Sequence, residues 1–419
     1  MSQAPLQSPL LLDAGDVEAM IVRQFTARDP AYLAKQAAAT AALAPMEARL
    51  AAFQQAGNDV PASDQLFIEA EWLANYTDQW PRFEAQAARL AASFADPNQD
   101  WAGAQQSDGA WGPLFTEWFE KVDASITGLN ACWSADSKPP YALDFLTRVD
   151  TPDKLAAELA RLQTSDILRT GLDQRDALGA VQAALSQMLL KPKFLAFLAA
   201  NTTGFPFTQA MADAYWDCLR ATQSSETGYW GAWFVDGEGV VKTHDLSLTF
   251  HTISYRKGAV DLWPQIVATT LATRNMTYPY GWLTDGRMNN HNNYDVATIF
   301  RYGWPAMSAD QRSQAAAAIQ DMVAYALSPE SMPEYGAFQC SGRAFSSVGD
   351  CYYFAVTLLN AVGTWDPSLR FWTDAPPVPN AGALACAIKA KLEPLAAGSP
   401  SAADALSIVA PYCAAGGGG

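Results

Sequence analysis

The sequence predicts an all-α protein whose antiparallel helical hairpins close into an α/α barrel, or toroid, as a single large domain. No stretch alternates apolar and polar residues over the length of a strand, and turn signals recur roughly every fifteen to twenty-five residues. In addition, two segments place polar side chains along one helical stripe, which requires a cavity for them to face. A flat bundle or an open solenoid is the alternative. The domain is predicted over 1–415, with the glycines of 416–419 as a flexible tail.

Helical periodicity, bounded by proline, glycine and capping residues, predicts the elements in chain order. Thr151 is expected to cap a helix that has Pro152 in its first turn. The aromatic, glycine-rich segment 228–234 is more typical of a cleft wall or a short strand than of a helix. The predicted helices are 17–55 with a break near Pro45, 65–94, 114–130, 151–162, 173–190, 192–200, 207–221, 244–257, 262–272, 287–301, 308–327, 351–362, 381–397 and 402–412.

Composition excludes several classes of protein. The formal net charge of −16 argues against nucleic acid as a partner. No run of eighteen apolar residues occurs, so no transmembrane helix and no membrane partner are expected. The first twenty residues lack the basic start and apolar run of a secretory signal. The chain is therefore expected to be cytosolic, or a mature form whose signal has been removed.

The cysteine spacing indicates disulfides. None of the six cysteines forms a CxxC pair, which disfavours a zinc ribbon or a redox motif. Two pairs are close in sequence, Cys340 with Cys351 and Cys386 with Cys413. If they are bonded, they favour a periplasmic or secreted location. Six unpaired thiols are the alternative.

All three histidines lie between residues 236 and 305. If 244–257 is a helix, one stripe carries His244, Leu248, His251 and Tyr255 at i, i+4, i+7 and i+11. A surface helix normally carries Lys and Glu on its wet face, whereas histidine and tyrosine suit a cavity that holds a polar ligand. The alternative is that these side chains are buried and satisfied by their neighbours.

A second stripe follows an Asp285-Gly286 turn signal. Its members are Arg287, His291, Tyr294, Thr298 and Arg301, at i, i+4, i+7, i+11 and i+14. Between residues 236 and 303, six Lys and Arg stand against six Asp and Glu, so this window is neutral within an acidic protein. That pattern fits an anion-binding cleft.

The run Asn289-Asn290-His291, followed by Tyr294, resembles the Asn-Asn-His-x-Tyr motif of α/α-barrel alginate lyases, with the tyrosine one residue later. The histidine-rich helix that ends in Tyr255-Arg256, with Arg287 downstream, is similar to the Asn/His/Tyr/Arg set of toroidal polysaccharide lyases. The order of the two elements departs from the better-known alginate lyases. The sequence as a whole is more similar to the alginate and glucuronan lyases of polysaccharide lyase family 38. The resemblance covers roughly residues 225–305.

This resemblance implies β-elimination on a 4-linked uronic-acid polymer, catalysed by a carbon–oxygen lyase. Such chemistry needs donors that stabilise the substrate carboxylate, a base for the C5 proton and an acid for the leaving O4. The candidate donors are Asn290, His291 and Arg287, with Asn201 as a weaker one. The candidates for base and acid are Tyr294 first and Tyr255 second, and His244 or His251 is expected as base or carboxylate neutraliser.

Aromatic and hydrogen-bonding side chains near the stripes are expected to bind sugar. They are Asn201, Trp230, Trp233, Arg256, Trp282, Asn289, Arg301 and, in the loop between Cys340 and Cys351, Arg343. Core packing is the alternative for the aromatic ones. No cofactor or metal is expected, since His291 with Asp295 lacks a third ligand. The expected partner is an acidic polysaccharide, and the chain is expected to be a monomer.

Three other functions compete with the lyase. An inverting glycoside hydrolase on an α/α barrel needs two opposed carboxylates, for which Asp236, Glu238, Asp285 and Asp295 are available. That function leaves the polar stripes unexplained. A terpene-cyclase-like toroid has a single Gln/Trp segment, 106–111, in its favour. A non-catalytic glycan-binding protein is the third.

Overall fold

The computed structural model describes residues 11–56, 61–95, 105–111, 115–132, 138–202, 207–340, 345 and 347–415, and these are mostly helical, as predicted. The tail predicted at 416–419 lies outside the described residues. The α-helices are α1 (Ala14–Arg28), α2 (Tyr32–Gln55), α3 (Pro61–Tyr76), α4 (Trp80–Ala95), α5 (Trp118–Cys132), α6 (Pro152–Gln163), α7 (Ile167–Thr170), α8 (Arg175–Leu189), α9 (Pro192–Asn201), α10 (Gln209–Thr222), α11 (Leu246–Tyr255), α12 (Trp263–Ala272), α13 (Asn290–Gly303), α14 (Ala309–Ala326), α15 (Val348–Ala361), α16 (Ala381–Leu392) and α17 (Pro400–Ala415).

Side-chain caps determine where the helices of interest begin. The Asp245 carboxylate accepts a hydrogen bond from the backbone N–H of Leu248, so α11 starts at Leu246. Asn289 caps α13 in the same way. The predicted helix starts at 244 and 287 were therefore wrong, and His244 and Arg287 lie in the segments that precede the two helices. Thr151 caps α6 with Pro152 in the first turn, as predicted.

The predicted helix 17–55 is two helices, and the break was predicted at the wrong proline. The chain leaves the helical conformation at Asp29, where φ is −130° and ψ is 103°. Asp29 precedes Pro30, and the residue before a proline is disfavoured in a helix. Pro45 lies inside α2.

A small three-stranded sheet was missed by the search for alternation, because its strands are too short to show it. Strand β1 (Thr164–Ser165) pairs in parallel with β2 (Trp233–Asp236), and β2 pairs antiparallel with β3 (Gly239–Lys242). Gly237, with φ of +62°, turns the tight hairpin between β2 and β3. The end of segment 228–234 is a strand, in agreement with its composition.

Six helices pack side by side and carry the candidate site. Each of α5, α8, α11, α13 and α15 packs against the next in this order. Helix α3 joins the row through an edge contact between the Trp72 and Phe119 rings, whose centroids lie 4.9 Å apart. A second set of helices packs against the row, with α2 and α4 on α3, α6 and α10 on α8, α12 and α14 on α13, and α17 on α15.

Both predicted disulfides are confirmed. Cys340 is bonded to Cys351, and Cys386 is bonded to Cys413, which ties α16 to the last turn of α17. Cys218 is a free thiol. Within the described ranges no single helix has the length and apolar character to cross a membrane, although α8 and α9 meet that test jointly as a pair bent by 95°.

Candidate functional site

A cavity of about 590 Å³ opens among α3, α5, α8 and α11. Helix α8 makes room for it with small side chains, since Gly179 and Ala183 follow Arg175 at i+4 and i+8 on the cavity face. The lining residues are Ile68, Glu71, Trp72 and Tyr76 of α3, Phe119, Glu120 and Asp123 of α5, Arg175, Asp176, Gly179, Ala180, Ala183 and Gln187 of α8, and Ser247, Leu248, His251 and Tyr255 of α11.

His251 and Tyr255 form the wall that α11 contributes. They are one helical turn apart, and their rings stack with centroids 5.8 Å apart and planes inclined by 17°. Burial, assisted by the charge of Arg175, lowers the pKa of His251 to about 4. Burial, assisted by the charge of Asp123, raises the pKa of Tyr255 to about 12. At neutral pH the pair is therefore a neutral imidazole beside a protonated phenol.

Arg175 is the cation of this cavity, and two carboxylates hold it in place. Its Nε donates to Asp245 at 2.9 Å, and its Nη1 donates to Asp176 at 2.6 Å. Because Asp245 also caps α11, the guanidinium is oriented by the same residue that sets the start of the His251 helix. The Nη2 hydrogens have no partner among the described residues, so they are available to a ligand.

Two unpaired acids face the same cavity from α5. Glu120 and Asp123 are one turn apart, and neither has a hydrogen bond or an ion pair within the described part of the chain. Burial raises the pKa of Asp123 to about 6. Burial, followed by the charge of Asp123, raises the pKa of Glu120 well above its ordinary value. Glu120 is therefore protonated at pH values where an ordinary glutamate is ionised.

The lining of this cavity differs from the anion-binding cleft expected from the sequence. It carries four carboxyl groups, Glu71, Glu120, Asp123 and Asp176, against the single guanidinium of Arg175. The neutral charge balance of residues 236–303 does not describe the site, because α3, α5 and α8 supply all of these groups.

His291 and Tyr294 lie on the neighbouring helix α13, in a layer of aromatic rings, and are not among the residues that line this cavity. The Tyr294 ring contacts Phe250 with centroids 5.4 Å apart, and the His291 ring contacts Phe354 at 4.1 Å. Burial, followed by the charge of His251, lowers the pKa of His291 to about 4. The two polar stripes are thus adjacent, but only the first faces the cavity.

His244 and the two asparagines at the start of α13 have mainly structural surroundings. His244 is buried between the rings of Tyr229 and Tyr280, and its Nε2 has no hydrogen-bond partner among the residues that the structure describes. The Asn289 side chain caps α13 and donates to Thr284 at 2.8 Å. Asn290 is buried and donates to Ser331 at 2.9 Å, which leaves its Oδ1 unpaired.

The other predicted sugar-binding residues are dispersed. Trp230 is fully buried and donates to the carbonyl of Leu219 at 2.7 Å, so the core-packing alternative describes it. Asn201 donates to the carbonyl of Phe197 within α9. Trp233 in β2 stacks under Lys242, Arg256 lies over Trp216 and Arg301 lies over Tyr302.

Arg287 and Trp282 line a different cavity with Arg274 and Tyr325. Arg343 lies outside the described residues. None of the four carboxylates considered for a hydrolase lines the first cavity. Among the described residues, no group of three His, Cys, Asp or Glu is placed to hold a metal ion.

Sequence reasoning missed Arg175, Glu120 and Asp123. On their own, charged residues near helix ends look like an ordinary solvated face. One signal was present, since α8 carries Arg175, Gly179, Ala183 and Gln187 at every fourth position, which makes one stripe of small and polar residues along the helix. Comparisons with protein-family models, with curated proteins and with solved structures found no match to this chain.

Proposed function

We propose that this chain is a polysaccharide lyase that cleaves a 4-linked uronic-acid polymer, glucuronan or alginate, by β-elimination and leaves 4,5-unsaturated uronate ends. One observation carries the proposal. A neutral imidazole and a protonated phenol, His251 and Tyr255, stack on one wall of a cavity beside the guanidinium of Arg175. These are the base, the acid and the carboxylate binder that the reaction needs.

β-Elimination removes the C5 proton, forms the C4–C5 double bond and breaks the C4–O4 bond. In the proposal, Arg175 binds the substrate carboxylate through its Nη2 hydrogens, which stabilises the charge that develops there. His251 lies close enough to Arg175 for the guanidinium to lower its pKa, so it is placed to take the proton from the adjacent C5. Tyr255 gives its proton to the departing O4. Proton exchange with water then restores both side chains.

The acidic lining is compatible with an anionic substrate because part of it is uncharged. Burial raises the pKa of Glu120 and so favours its protonated form, which adds no negative charge and can donate a hydrogen bond to a uronate carboxylate. The negative charge of Asp176 is balanced by its ion pair with Arg175. Trp72, Tyr76 and Phe119 supply apolar surface against which a sugar ring can pack.

We propose that the row of six helices is the inner ring of an α/α toroid. Asp64 near the start of α3 supports closure. Burial, followed by the charge of Asp350 at the start of α15, raises the pKa of Asp64 to about 7. The first and last helices of the row are thus near enough to interact. A periplasmic or secreted monomer fits the two disulfides.

A glycoside hydrolase is the second candidate, because Glu120 and Asp123 are an unpaired acid and carboxylate in the same cavity. The proton held by Glu120 suits a general acid, and Asp123 suits a base. The lyase is preferred because both groups come from one face of α5. An inverting hydrolase needs its two carboxyl groups on opposite sides of the sugar.

The test is a screen of alginate, glucuronan and hyaluronan for the ultraviolet absorbance of an unsaturated uronate. We expect turnover on at least one polymer. His251→Ala and Tyr255→Phe should each lower kcat by on the order of 100-fold or more, because each removes a general acid or base. Tyr302→Phe, on α13 and outside the cavity, is the matched control.

Two outcomes would redirect the proposal. A larger loss in Tyr294→Phe than in Tyr255→Phe would move the acid to α13. Cleavage without new ultraviolet absorbance would indicate the hydrolase, and binding without cleavage of any polymer would indicate a glycan-binding protein.

A further inference from the structure

A second cavity, of about 620 Å³, is lined in part by the loop that leads into α13. It shares no lining residue with the first. Its lining combines two guanidinium groups, an indole, a phenol and one carboxylate, contributed by Arg274, Trp282, Arg287, Tyr325 and Glu330.

The two cavities are lined by different charged groups. The first presents four carboxyl groups and one guanidinium, whereas the second presents two guanidinium groups and one carboxylate. Arg274 is ion-paired with Asp321, and Arg287 is only loosely paired with Glu330, so the exposed guanidinium of Arg287 is the group of this cavity that an anion can reach.

Arg287 is available to a ligand. Its side chain is 76% exposed, and its ion pair with Glu330 is long, at 3.6 Å, between two exposed groups. An exposed pair of this kind contributes little free energy, so a bound carboxylate can replace Glu330 at small cost.

Arg287 is also held in a fixed place by its backbone. Thr284 and Arg287 exchange two backbone hydrogen bonds of 2.9 and 3.0 Å. Between them Asp285 and Gly286 both have positive φ, +51° and +73°, as a tight two-residue turn requires. Asn289, which caps α13, donates to Thr284 and fastens this turn to the helix.

Two other lining side chains, Trp282 and Arg274, are also held in place by contacts with their neighbours. The Trp282 indole donates to the carbonyl of Thr270 at 2.9 Å, and the Arg274 guanidinium lies 5.9 Å from the indole centroid. Arg274 is oriented by an ion pair of 2.7 Å with Asp321, which does not line the cavity. Guanidinium groups bind carboxylates through two parallel hydrogen bonds. Trp282 is buried in the core, so the half-buried Tyr325 is the aromatic side chain of this lining that a sugar ring can contact.

We propose that this cavity is a second binding site for an acidic saccharide, in which Arg287, assisted by Arg274, binds a sugar carboxylate outside the first cavity. The choice of ligand class rests on the proposed function, but the site itself does not require turnover. Because the loop continues into α13, a polymer held here is close to the helix that carries His291 and Tyr294.

The test measures binding, not cleavage, by calorimetric titration with oligoglucuronate and oligoalginate in the Tyr255→Phe background. We expect Arg287→Ala to weaken binding about tenfold or more, since the variant loses the charge-assisted hydrogen bonds to the carboxylate. Arg287→Lys should recover part of the affinity, because lysine keeps the charge but not the paired donors. Arg274→Ala should weaken binding less.

Arg220→Ala is the matched control. Arg220 is an exposed arginine near a tryptophan, with an ion pair of 3.1 Å to Asp217, and it lies in α10. Binding should be unchanged in this variant, and all variants should melt like the parent, because the side chains are exposed.

The proposal is overturned if Arg287→Ala binds acidic oligosaccharide as the parent does, if the parent binds none, or if a neutral 4-linked oligosaccharide binds equally well. If Arg287→Ala loses binding while the wild-type chain cleaves no polymer, the proposed lyase activity is refuted and the proposed second binding site is supported.

Discussion

The three histidines of this protein lie in three different environments. His251 faces the first cavity, His291 lies in an aromatic layer, and His244 is buried with an unpaired Nε2. Spacing alone predicted that His251 and Tyr255 share a helix face, because residues four apart always do. The spacing gave a wrong prediction for His244, because Asp245 is the N-cap of α11 and His244 therefore precedes the helix.

The pH dependence of kcat is predicted to separate the lyase from the hydrolase. A base with the pKa of His251, about 4, is neutral and active at pH 5 and loses activity as the pH falls through 4. A base with the pKa of Asp123, about 6, is already mostly protonated at pH 5. Initial rates between pH 3.5 and 8 measure the position of this acidic limb. A limb near 6 would contradict the assignment of His251.

Asp173 is predicted to destabilise the fold at neutral pH. Burial, offset in part by a backbone hydrogen bond from Arg175, raises its pKa to about 7. The folded state therefore holds the proton up to about pH 7, whereas the unfolded chain releases it near 4. Because the folded state binds more protons across this window, stability falls as the pH rises through it.

Asp173→Asn, which resembles the protonated form, should remove this penalty. Thermal melts should show a gain of a few degrees over the wild type at pH 8 and almost none at pH 4. An equal shift at both values would show that the effect is not due to titration. Asp153→Asn, near the start of α6, is the control.

At the scale of elements, caps and prolines predicted most helices but not their exact bounds. Thr151 with Pro152 gave the start of α6, and Ser308 gave the start of α14 with a full capping box. The rest depends on long-range contacts. Strand β1 has two residues and exists only because β2, nearly seventy positions later, pairs with it.

Asn289 is predicted to stabilise α13 through its cap. Asn289→Ala removes the hydrogen bond from the Asn292 backbone N–H and the bond to Thr284, and should lower the free energy of unfolding by about 1–2 kcal/mol. Asn289→Ser keeps a capping oxygen and should recover part of the loss. Urea denaturation of the three proteins measures this, and an alanine variant as stable as the wild type would refute the role.

At the scale of the whole molecule, the first cavity could not be predicted from the sequence. Its walls come from α3, α5, α8 and α11, which span residues 61–255. The pKa values of Glu120 and Asp123 are raised only because the fold buries them. The window around the histidines therefore contained part of the site, while its acids and its guanidinium came from the preceding half of the chain.

The Cys386–Cys413 bond is predicted to stabilise the whole domain, because α17 packs against α15 of the helix row. Replacing both cysteines by serine should lower the free energy of unfolding by about 2–4 kcal/mol, the range expected for a closed loop of this size. Cys218→Ser is the control, since Cys218 is free. Denaturation midpoints measure the difference, and equal midpoints for the double variant and the wild type would contradict it.

The most direct test of β-elimination asks whether an oxygen atom from water enters the products. The wild-type chain is incubated briefly with glucuronan or alginate in ¹⁸O-labelled water, the reducing ends are reduced at once with borohydride so that their anomeric oxygen cannot exchange with the solvent, and the oligosaccharide products are weighed by mass spectrometry. The proposed roles of His251, Tyr255 and Arg175 predict that cleavage adds no water, so the new non-reducing ends are unsaturated and no labelled oxygen enters the products. One labelled oxygen per cleaved bond would show that water is the nucleophile and would contradict the lyase.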